Sequence, residues 1–484
     1  MSWRAGLVSL LVAGCGGELP GDEPTGSAVA RLTTVPPGVQ CVRVTIRGTT
    51  LSFGAMSGAS SMSLDLGVQA GGSVQVSASA YDFACAAVTA ATNPSWVSDP
   101  VSATIMAGYT TSVALTLRPA TRATASVDFL LPAVAIAAGG DSTYAVMQDG
   151  TVRAWGDNRN GELGDGTTTT RLTPVTVTGL PPSARRIVAG AGHACALTGA
   201  GVYCWGANDS GQLGDGSITT GRPTPARVDA SGVEMAFTSL TAGDGHTCAA
   251  TSGDGRFYCW GLNDHGQLGD GTTTNRRRPT IVPTPYWPVF DPAGGEGGTC
   301  ALTNTGRAVC WGRNAFSRFG GDVADVDFTI PIIPSSRVWA GIAMGSFHMC
   351  LLEPGGAVYC AGNNPLGQVG DGTTVQRPSF VPVSDLRDAT AIAVGRGHSC
   401  ALRQDRTVWC WGADERIGVG RGGGNTTLPT QVQGLQNVTA IAAGNFYTCA
   451  LLADGSVRCW GDNEYGQIGD GTVRTRYVPE RVRL

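Results

Sequence analysis

Residues 393–402 read Ala-Val-Gly-Arg-Gly-His-Ser-Cys-Ala-Leu, and Cys410-Trp411-Gly412 follows after a short turn. The same arrangement returns at 189–197 and at 442–451, where Ala-Cys-Ala-Leu and Thr-Cys-Ala-Leu stand in place of Ser-Cys-Ala-Leu. Seven copies can be counted, and the period is about 50 residues. A period in this range is typical of propeller blades rather than of helical or leucine-rich solenoids. The repeats therefore predict a ring of blades.

Twelve of the fifteen cysteines form couples, one couple in each of six repeats. The couples are Cys195 with Cys204, Cys248 with Cys259, Cys300 with Cys310, Cys350 with Cys360, Cys400 with Cys410, and Cys449 with Cys459. In the first repeat Tyr144 and Ala154 replace both cysteines together, which indicates that the two members of a couple bond to each other. A strand, a turn and a second strand ending in Trp-Gly make an antiparallel hairpin, in which opposed cysteines lie within disulfide range. Zinc is the competing explanation, but it favours Cys-x2-Cys spacing and four ligands.

The composition favours an all-β protein and excludes several kinds of chemistry. The chain is 42% hydrophobic and 14% charged, with 71 glycines. Its net charge of -4 gives no electrostatic reason to expect nucleic-acid binding. The sequence contains no lysine, which excludes a Schiff-base lysine and a phosphate-loop lysine.

The first fifteen residues resemble a bacterial lipoprotein signal. Arg4 precedes a short apolar stretch that ends in Leu11-Val12-Ala13-Gly14-Cys15, and the stretch is too short to span a bilayer. The resemblance implies that Cys15 is acylated and becomes the mature N-terminus, with residues 16–27 as a tether. An ordinary leader cleaved elsewhere is the alternative. The predicted location is the cell envelope, lipid-anchored at the outer membrane or cell surface, where disulfides can form.

Residues 28–119 differ in composition from the repeats. Short alternating runs such as 42–46, 73–77 and 112–117 predict strands of a small β-sandwich domain. Cys41 and Cys85 are the only cysteines in this segment, and we expect them to bond to each other. Residues 120–133 are interpreted as a connector, and the ring is predicted to span 134–484.

A second signature follows each Trp-Gly, for example Asn208-Asp209-Ser210-Gly211-Gln212-Leu213-Gly214-Asp215-Gly216. The hairpins, Trp-Gly and this loop resemble the tandem repeats of the regulator of chromosome condensation family, which includes the alpha-tubulin suppressor-like proteins. The resemblance covers residues 134–484 and implies a seven-bladed β-propeller. It also implies action by binding, because members of the family serve as exchange factors, photoreceptors and inhibitors. Two copies, at 316–320 and 416–420, have lost most of the loop.

The repeated polar residues have two interpretations each. The Gly-Asp-Gly aspartates could supply oxygen ligands to calcium, but aspartate flanked by glycines is what a tight turn uses, and the spacing lacks a calcium loop's ligand series. Four histidines, His193, His246, His348 and His398, stand two residues before the first cysteine of a couple. We expect them to be hydrogen-bonded inside the blades rather than to act as metal ligands or bases. No cofactor is predicted.

The ends of the chain suggest how the ring closes. An extended strand with proline follows each loop, and the last one, at 476–484, has no hairpin after it. The first hairpin has no such strand immediately before it. We therefore expect the C-terminal strand to join the first blade and to bury Val478 and Val482.

The predicted function is binding rather than catalysis. The first hypothesis is a surface-anchored recognition module for an extracytoplasmic protein or glycan, monomeric and attached to the membrane by its lipid only. An inhibitor resembling the propeller-type β-lactamase inhibitors is one alternative, and a polysaccharide lyase or hydrolase is another. A binding surface should lie where the repeats diverge, and these residues are Tyr286, Trp287, Phe290, Phe316, Arg318 and Arg416. The aromatic insertion at 286–290 could instead be a hydrophobic plug under the ring.

Overall fold

The computed structural model divides the chain into two compact units, Met1–Leu130 and Leu131–Leu484. In the second unit it describes residues 131–231, 233, 236–252, 255–283, 289–320, 326–332, 337–413 and 424–484. In the first unit it describes the backbone of the strands alone. Among these residues no helix has the length and apolar character needed to cross a bilayer.

The described strands of the first unit form two sheets. One sheet has the order β4-β1-β8, in which β1 runs antiparallel to β4 and parallel to β8. The other has the order β3-β2-β5-β6-β9, and β7 also pairs with β5. The strands are β1 (Ser27–Leu32), β2 (Cys41–Ile46), β3 (Thr49–Gly54), β4 (Met62–Asp65), β5 (Ser73–Tyr81), β6 (Trp96–Val97), β7 (Val101–Thr104), β8 (Thr110–Leu115) and β9 (Arg118–Pro119). Cys41 opens β2, whereas Cys15 and Cys85 lie outside the described residues.

The second unit is a seven-bladed β-propeller, and each blade is an antiparallel four-stranded sheet whose strands follow one another in sequence. The predicted fold class is therefore confirmed for the ring. Blades 1 to 4 contain β10–β13 (Ala133–Gly139, Ser142–Met147, Val152–Gly156, Arg171–Thr176), β14–β17 (Ala184–Ala189, His193–Thr198, Gly201–Asn208, Thr219–Arg227), β18–β21 (Phe237–Ala242, His246–Thr251, Phe257–Gly261, Arg276–Ile281) and β22–β25 (Val289–Gly295, Gly298–Thr303, Ala308–Arg313, Asp327–Ile332). Blades 5 to 7 contain β26–β29 (Gly341–Met344, His348–Leu352, Val358–Gly362, Arg377–Pro382), β30–β33 (Ala389–Val394, His398–Arg403, Val408–Gly412, Thr426–Gln431) and β34–β37 (Val438–Ala443, Tyr447–Leu452, Val457–Gly461, Arg476–Arg481).

The second and third strands of each blade form the hairpin that the cysteines predict. In blade 1, Tyr144 is opposite Ala154, and in the other six blades two cysteines are opposed at the same register. Each opposed couple is disulfide-bonded, with Cα atoms 4.0 to 4.1 Å apart. The bonded couples of blades 2 to 7 are Cys195 and Cys204, Cys248 and Cys259, Cys300 and Cys310, Cys350 and Cys360, Cys400 and Cys410, and Cys449 and Cys459. The structure therefore has the same six within-blade pairings as the sequence predicts.

The core lies between the blades rather than inside one of them. The tryptophan of each Trp-Gly packs into the apolar layer of the preceding blade: Trp205 packs with Val146 and Leu163 of blade 1, and Trp260 packs with Leu213 of blade 2. These indoles are completely buried. An isolated blade would expose the apolar layers on its two sides to water. The sheets are therefore stable as a ring, in which each blade covers the apolar layer of its neighbour.

The ring closes in a different way from the one predicted. The last strand, β37, pairs with β36 in its own blade and not with blade 1. Blade 7 meets blade 1 through the same kind of layer that joins the other blades, formed by Trp155, Tyr447, Ile468 and Val482. Val482 is buried as expected, but Val478 is 55% exposed. The interface between blades 7 and 1 is built like the interfaces between the other neighbouring blades. The ring therefore closes without a C-terminal strand that joins blade 1.

Candidate functional site

The two faces of the ring carry different segments. One face carries the hairpin turns between second and third strands and the links between blades, and we call it the hairpin face. The other carries the turns between first and second strands and the long loops between third and fourth strands, and we call it the loop face. The turns that precede the repeated histidines and the loops that contain Gly-Gln-Leu-Gly both belong to the loop face.

Each innermost strand ends at the loop face in a glycine that lies against the next blade. A Cβ atom on Gly243 would lie 2.7 Å from the carbonyl oxygen of Gly295, and one on Gly295 would lie 2.5 Å from that of Gly345. Both distances are shorter than a real Cβ contact, so only glycine lets the inner strands approach this closely. The strand ends enclose a cavity of about 250 Å³ on the ring axis. Its walls are mostly glycine and alanine.

The residue after this glycine varies completely from blade to blade. The seven residues are Gly140, Ala191, Asp244, Glu296, Ser346, Arg396 and Asn445, which are seven different types. Five of them line the axial cavity, and Ala191 and Glu296 hold the equivalent positions of blades 2 and 4. We call all seven the channel mouth. Asp244 is exposed, but desolvation by the surrounding walls and the carboxylate of Glu296 raise its pKa to about 6 against the opposing effect of Arg318 and Arg396. Asp244 and Glu296 therefore share one acidic region of the mouth.

An apolar patch lies beside the channel mouth on blades 4 to 7. The ring of Phe347 meets the edge of Phe316 at 5.6 Å between centroids, and the guanidinium of Arg396 lies 5.7 Å from the Phe347 centroid. Leu366 and Phe446 flank Gly397. All four apolar side chains are half-buried. We call Phe316, Phe347, Leu366 and Phe446 the aromatic patch.

Acidic groups also gather where blade 7 meets blade 1. Asp157 is bound by the guanidinium of Arg159, and Asp141 accepts a hydrogen bond from Asn445 at 3.2 Å. Glu162 is buried in the position that glutamine occupies in blades 2, 3, 5 and 7, and it accepts a hydrogen bond from the Asn160 amide at 2.6 Å. Burial raises the pKa of Glu162 to about 7. At neutral pH a large share of this carboxyl is therefore protonated.

The four repeated histidines hold adjacent blades together, as hydrogen-bonded residues inside the ring. His246 Nε2 lies 2.7 Å from the Thr299 hydroxyl, which in turn donates to the carbonyl of Gln267. The Thr299 proton is thereby used, so His246 donates through Nε2. The equivalent pairs are His193 with Thr247, His348 with Ser399, and His398 with Thr448. Burial lowers the pKa of His193 to about 4 and that of the other three to about 3.

The Gly-Asp-Gly aspartates form turns and ion pairs. Asp270 accepts hydrogen bonds from the Thr272 amide and hydroxyl and pairs with Arg276 at 2.7 Å. The same arrangement recurs in blades 1, 5 and 7. Its carboxylate oxygens are therefore occupied, as the turn interpretation predicts. In the described part of the chain no group of three His, Cys, Asp or Glu side chains could hold a metal ion.

The residues of blade 4 that differ from the repeat pattern pack in the interface with blade 5. Arg318 replaces the loop glutamine and is completely buried, where it donates to the carbonyls of Arg313, Glu296, Gly345 and Ser346. Its guanidinium lies where a side chain on Gly298 would be, in the position that holds histidine in blades 2, 3, 5 and 6. Phe319, Met349 and Trp339 pack where blade 5 has Ala361 instead of tryptophan. The prediction that Arg318 belongs to a binding surface is therefore wrong.

The other predicted surface residues are placed as follows. Phe316 lies on the loop face, in the aromatic patch, at a φ of 57°. Phe290 is in β22, but its side chain lies outside the described residues, as do Tyr286, Trp287 and Arg416. Sequence reasoning missed Asp244, Glu296, Phe347 and Arg396. The signal that could have found them is the variable position after the repeated glycine.

Family comparison agrees with this geometry. Residues 106–382, more than half of the chain, match the model of the RCC1-like domain. The chain belongs to the RCC1-like domain family. Regulator of chromosome condensation (RCC1) repeats also match at 389–416, 438–467 and 405–451. An RCC1-like propeller suits a protein-binding or interaction role.

Similar proteins include the Ultraviolet-B receptor UVR8 of Arabidopsis thaliana, 30% identical over 187 residues, which are 38% of this chain and 42% of the receptor. Human E3 ubiquitin-protein ligase HERC2 is 30% identical over 39% of this chain, but the match covers 4% of the ligase. The chain thus spans less than half the length of these relatives.

Solved structures of the family show the same fold. Prp20p from Saccharomyces cerevisiae has a TM-score of 0.61 at 24% identity, covering 69% of this chain and 85% of Prp20p. Yeast RCC1 (Prp20) bound by Kap60 has a TM-score of 0.62 at 22% identity, covering 76% and 91%. This RCC1-like domain therefore shares its propeller fold with those rings.

Proposed function

We propose that this RCC1-like protein is a recognition propeller that binds a partner protein outside the cytoplasm through its loop face. The observation that carries the proposal is the channel mouth, where seven blades with a common buried framework present seven different residue types. Gly140 is fixed by its positive φ and by the close Ala191 carbonyl. The other six mouth residues differ from blade to blade, and such variable loop residues are suited to specifying a partner. The half-buried aromatic patch adds phenylalanines, a residue type that is enriched in protein–protein interfaces.

Two solved relatives support a protein partner. Prp20p is described with its binding properties to Gsp1p and histones, and yeast RCC1 is seen bound to Kap60. A glycan remains the alternative ligand. Catalysis is not proposed, because the repeated aspartates that a hydrolase would need are engaged by arginines in ion pairs.

We infer that the protein is exported, lipid-anchored at Cys15 and monomeric, with its first unit as a β-sandwich. Six disulfides support export, because such bonds persist in oxidising compartments. The two sheets of the first unit support a sandwich. Replacing Cys15 with serine should release the protein from the membrane fraction. Unchanged retention would contradict the lipid anchor.

Blade 2 offers a matched pair of variants that test the binding face. Ala191 is exposed at the channel mouth, and Ala200 is exposed in the hairpin turn of the same blade on the opposite face. The immobilised full chain is exposed to extracytoplasmic proteins and to a glycan array. We expect proteins to be captured, and Ala191→Arg but not Ala200→Arg to reduce their capture at least tenfold. The proposal is wrong if no protein is captured, or if Ala200→Arg reduces capture and Ala191→Arg does not.

A further inference from the structure

The aromatic patch and the acidic part of the channel mouth are neighbours on blades 3 to 7. Phe347 follows Ser346 of the mouth, and Arg396 of the mouth lies over the Phe347 ring. The buried Arg318 links the two regions from below, since it binds the carbonyls of Glu296 and Ser346. An apolar surface and a pair of carboxylates are therefore presented together on the loop face.

We propose that this combined surface binds an extended protein segment that places an apolar side chain on the aromatic patch and an arginine or lysine at Asp244 and Glu296. The proposal rests on the binding function proposed above and names its partner by chemistry. It assigns the aromatic patch to affinity and the two carboxylates to orientation of the segment.

The aromatic patch is arranged as an anchor site. Phe347 is held on one side by the Phe316 edge, at an interplanar angle of 84°, and contacts the Arg396 guanidinium on another. A phenylalanine held by its neighbours loses little conformational entropy when a partner docks. Phenylalanine also lacks the hydroxyl or N–H group that would hydrogen-bond a sugar, so the patch fits an apolar side chain better than a glycan.

The charge of the loop face selects a basic partner. Outside the Gly-Asp-Gly ion pairs, carboxylates outnumber guanidinium groups among its described residues. The carboxylates are Asp141, Asp157, Asp209, Asp244, Asp264, Glu296, Asp327, Asp462 and Glu464, and the arginines are Arg159, Arg277, Arg313, Arg318, Arg396 and Arg474. Two loop faces brought together would repel each other, which argues against a second copy of this chain as the occupant.

The size of the axial cavity suits one side chain. Its volume of about 250 Å³ is below the range of roughly 300 to 1,000 Å³ that sites for drug-sized ligands occupy. Asp244 lies at its mouth beside Glu296, with Arg318 and Arg396 acting on Asp244 and Arg313 3.6 Å from Glu296. A cationic group entering there would relieve the repulsion between the two carboxylates.

The test is a selection of random peptides on the immobilised full chain, followed by affinity measurements with the selected peptides. We expect peptides with an apolar residue close to arginine or lysine. Phe347→Ala should weaken the binding of these peptides at least tenfold. The double variant Asp244→Asn, Glu296→Gln should weaken their binding similarly and remove the preference for basic residues. Tyr477→Ala and Asp385→Asn are the controls, because Tyr477 is on the outer strand of blade 7 and Asp385 on the hairpin face. Both controls should stay within twofold.

Unchanged melting temperatures separate loss of binding from loss of folding. Selection of acidic peptides, of no peptides, or of peptides indifferent to Phe347 and to the two carboxylates would overturn this inference. Glycan binding that depends on Phe347 would overturn it as well. If proteins are captured and Ala191→Arg reduces their capture but these variants do not, the proposed binding function is supported and only the proposed site is wrong. Absence of any captured protein would instead remove the proposed function.

Discussion

The indole nitrogen of Trp155 donates a hydrogen bond to the carbonyl oxygen of Gln467 at 2.9 Å, although 312 positions separate them in the chain. Trp260 makes the same bond to Gln212 of the preceding blade at 3.0 Å. The interface between the last and first blades is thus hydrogen-bonded like the interface between two blades that are consecutive in the chain. Tyr447 adds a bond of 2.6 Å from its hydroxyl to the carbonyl of Ser142.

Two valines of the C-terminal segment test this closure. Val482 is 3% exposed in the layer between blades 7 and 1, whereas Val478 is 55% exposed. We expect Val482→Ala to lower the free energy of unfolding by about 2 kcal/mol, and Val478→Ala to change it by less than about 0.5 kcal/mol. Denaturant unfolding measures both. Equal costs for the two variants would mean that the C-terminal strand joins blade 1 after all.

Arg318 is expected to be a stability residue and its neighbour Phe316 a surface residue. Arg318→Met leaves the carbonyls of Glu296, Gly345 and Ser346 without their donor inside the protein, so the unfolding free energy should fall by about 3 kcal/mol or more. Phe316→Ala should cost about 1 kcal/mol or less. Thermal unfolding compares the two. If the Arg318→Met protein is stable but its binding is altered, Arg318 belongs to a binding surface after all.

The six disulfides should each link cysteines of one blade. Removing the Cys195–Cys204 bond by changing both residues to alanine should cost about 2 to 3 kcal/mol, because the bond closes a short loop of the unfolded chain. Peptide mapping of the exported protein checks the pairing. Bonds between different blades, or free thiols at these positions, would contradict it.

Glu162 should make the protein less stable as the pH rises. Its pKa is about 7 in the folded chain against 4.5 when exposed, so the folded state holds the proton more tightly and loses stability as the pH rises from 4.5 through 7. Glu162→Gln removes this loss, and the variant should gain up to about 3 kcal/mol over the parent at pH 8. Melting temperatures between pH 5 and pH 8 measure the gain. A difference independent of pH would show that Glu162 is not buried.

His246 should act in the opposite direction, at acidic pH. Its pKa is about 3 in the folded chain against 6.5 when exposed, so the unfolded state gains the proton first and stability falls below pH 6.5. His246→Asn loses packing at every pH, but its deficit relative to the parent should shrink by about 2 kcal/mol from pH 7.5 to pH 5. Val482→Ala, which removes no titratable group, is the control, and its deficit should be the same at both pH values. A constant deficit would mean that His246 titrates in the folded state.

Much of the framework was predictable from residue spacing. The period of the repeat, the opposed cysteines and the turn aspartates depend on neighbours within one blade, and those neighbours are close in sequence. The four histidines could be assigned to the interior for the same reason. Their acceptors could not, because Thr299 pairs with His246 across 53 positions and belongs to the next blade.

The sequence alone determined that this chain is a ring of hairpin blades, because a hairpin is a local structure whose turn, strands and cysteine couple lie within one short segment. Only the tertiary structure decided what the exceptions mean. Arg318 differs from its counterparts because Gly298 leaves a space for it, and Phe319 packs in the layer where Ala361 leaves room beside Met349. Phe347 and Arg396, in contrast, differ where no packing demands it. Whether a departure repacks an interface or faces solvent depends on the neighbouring blade, which lies about 50 residues away in the repeat.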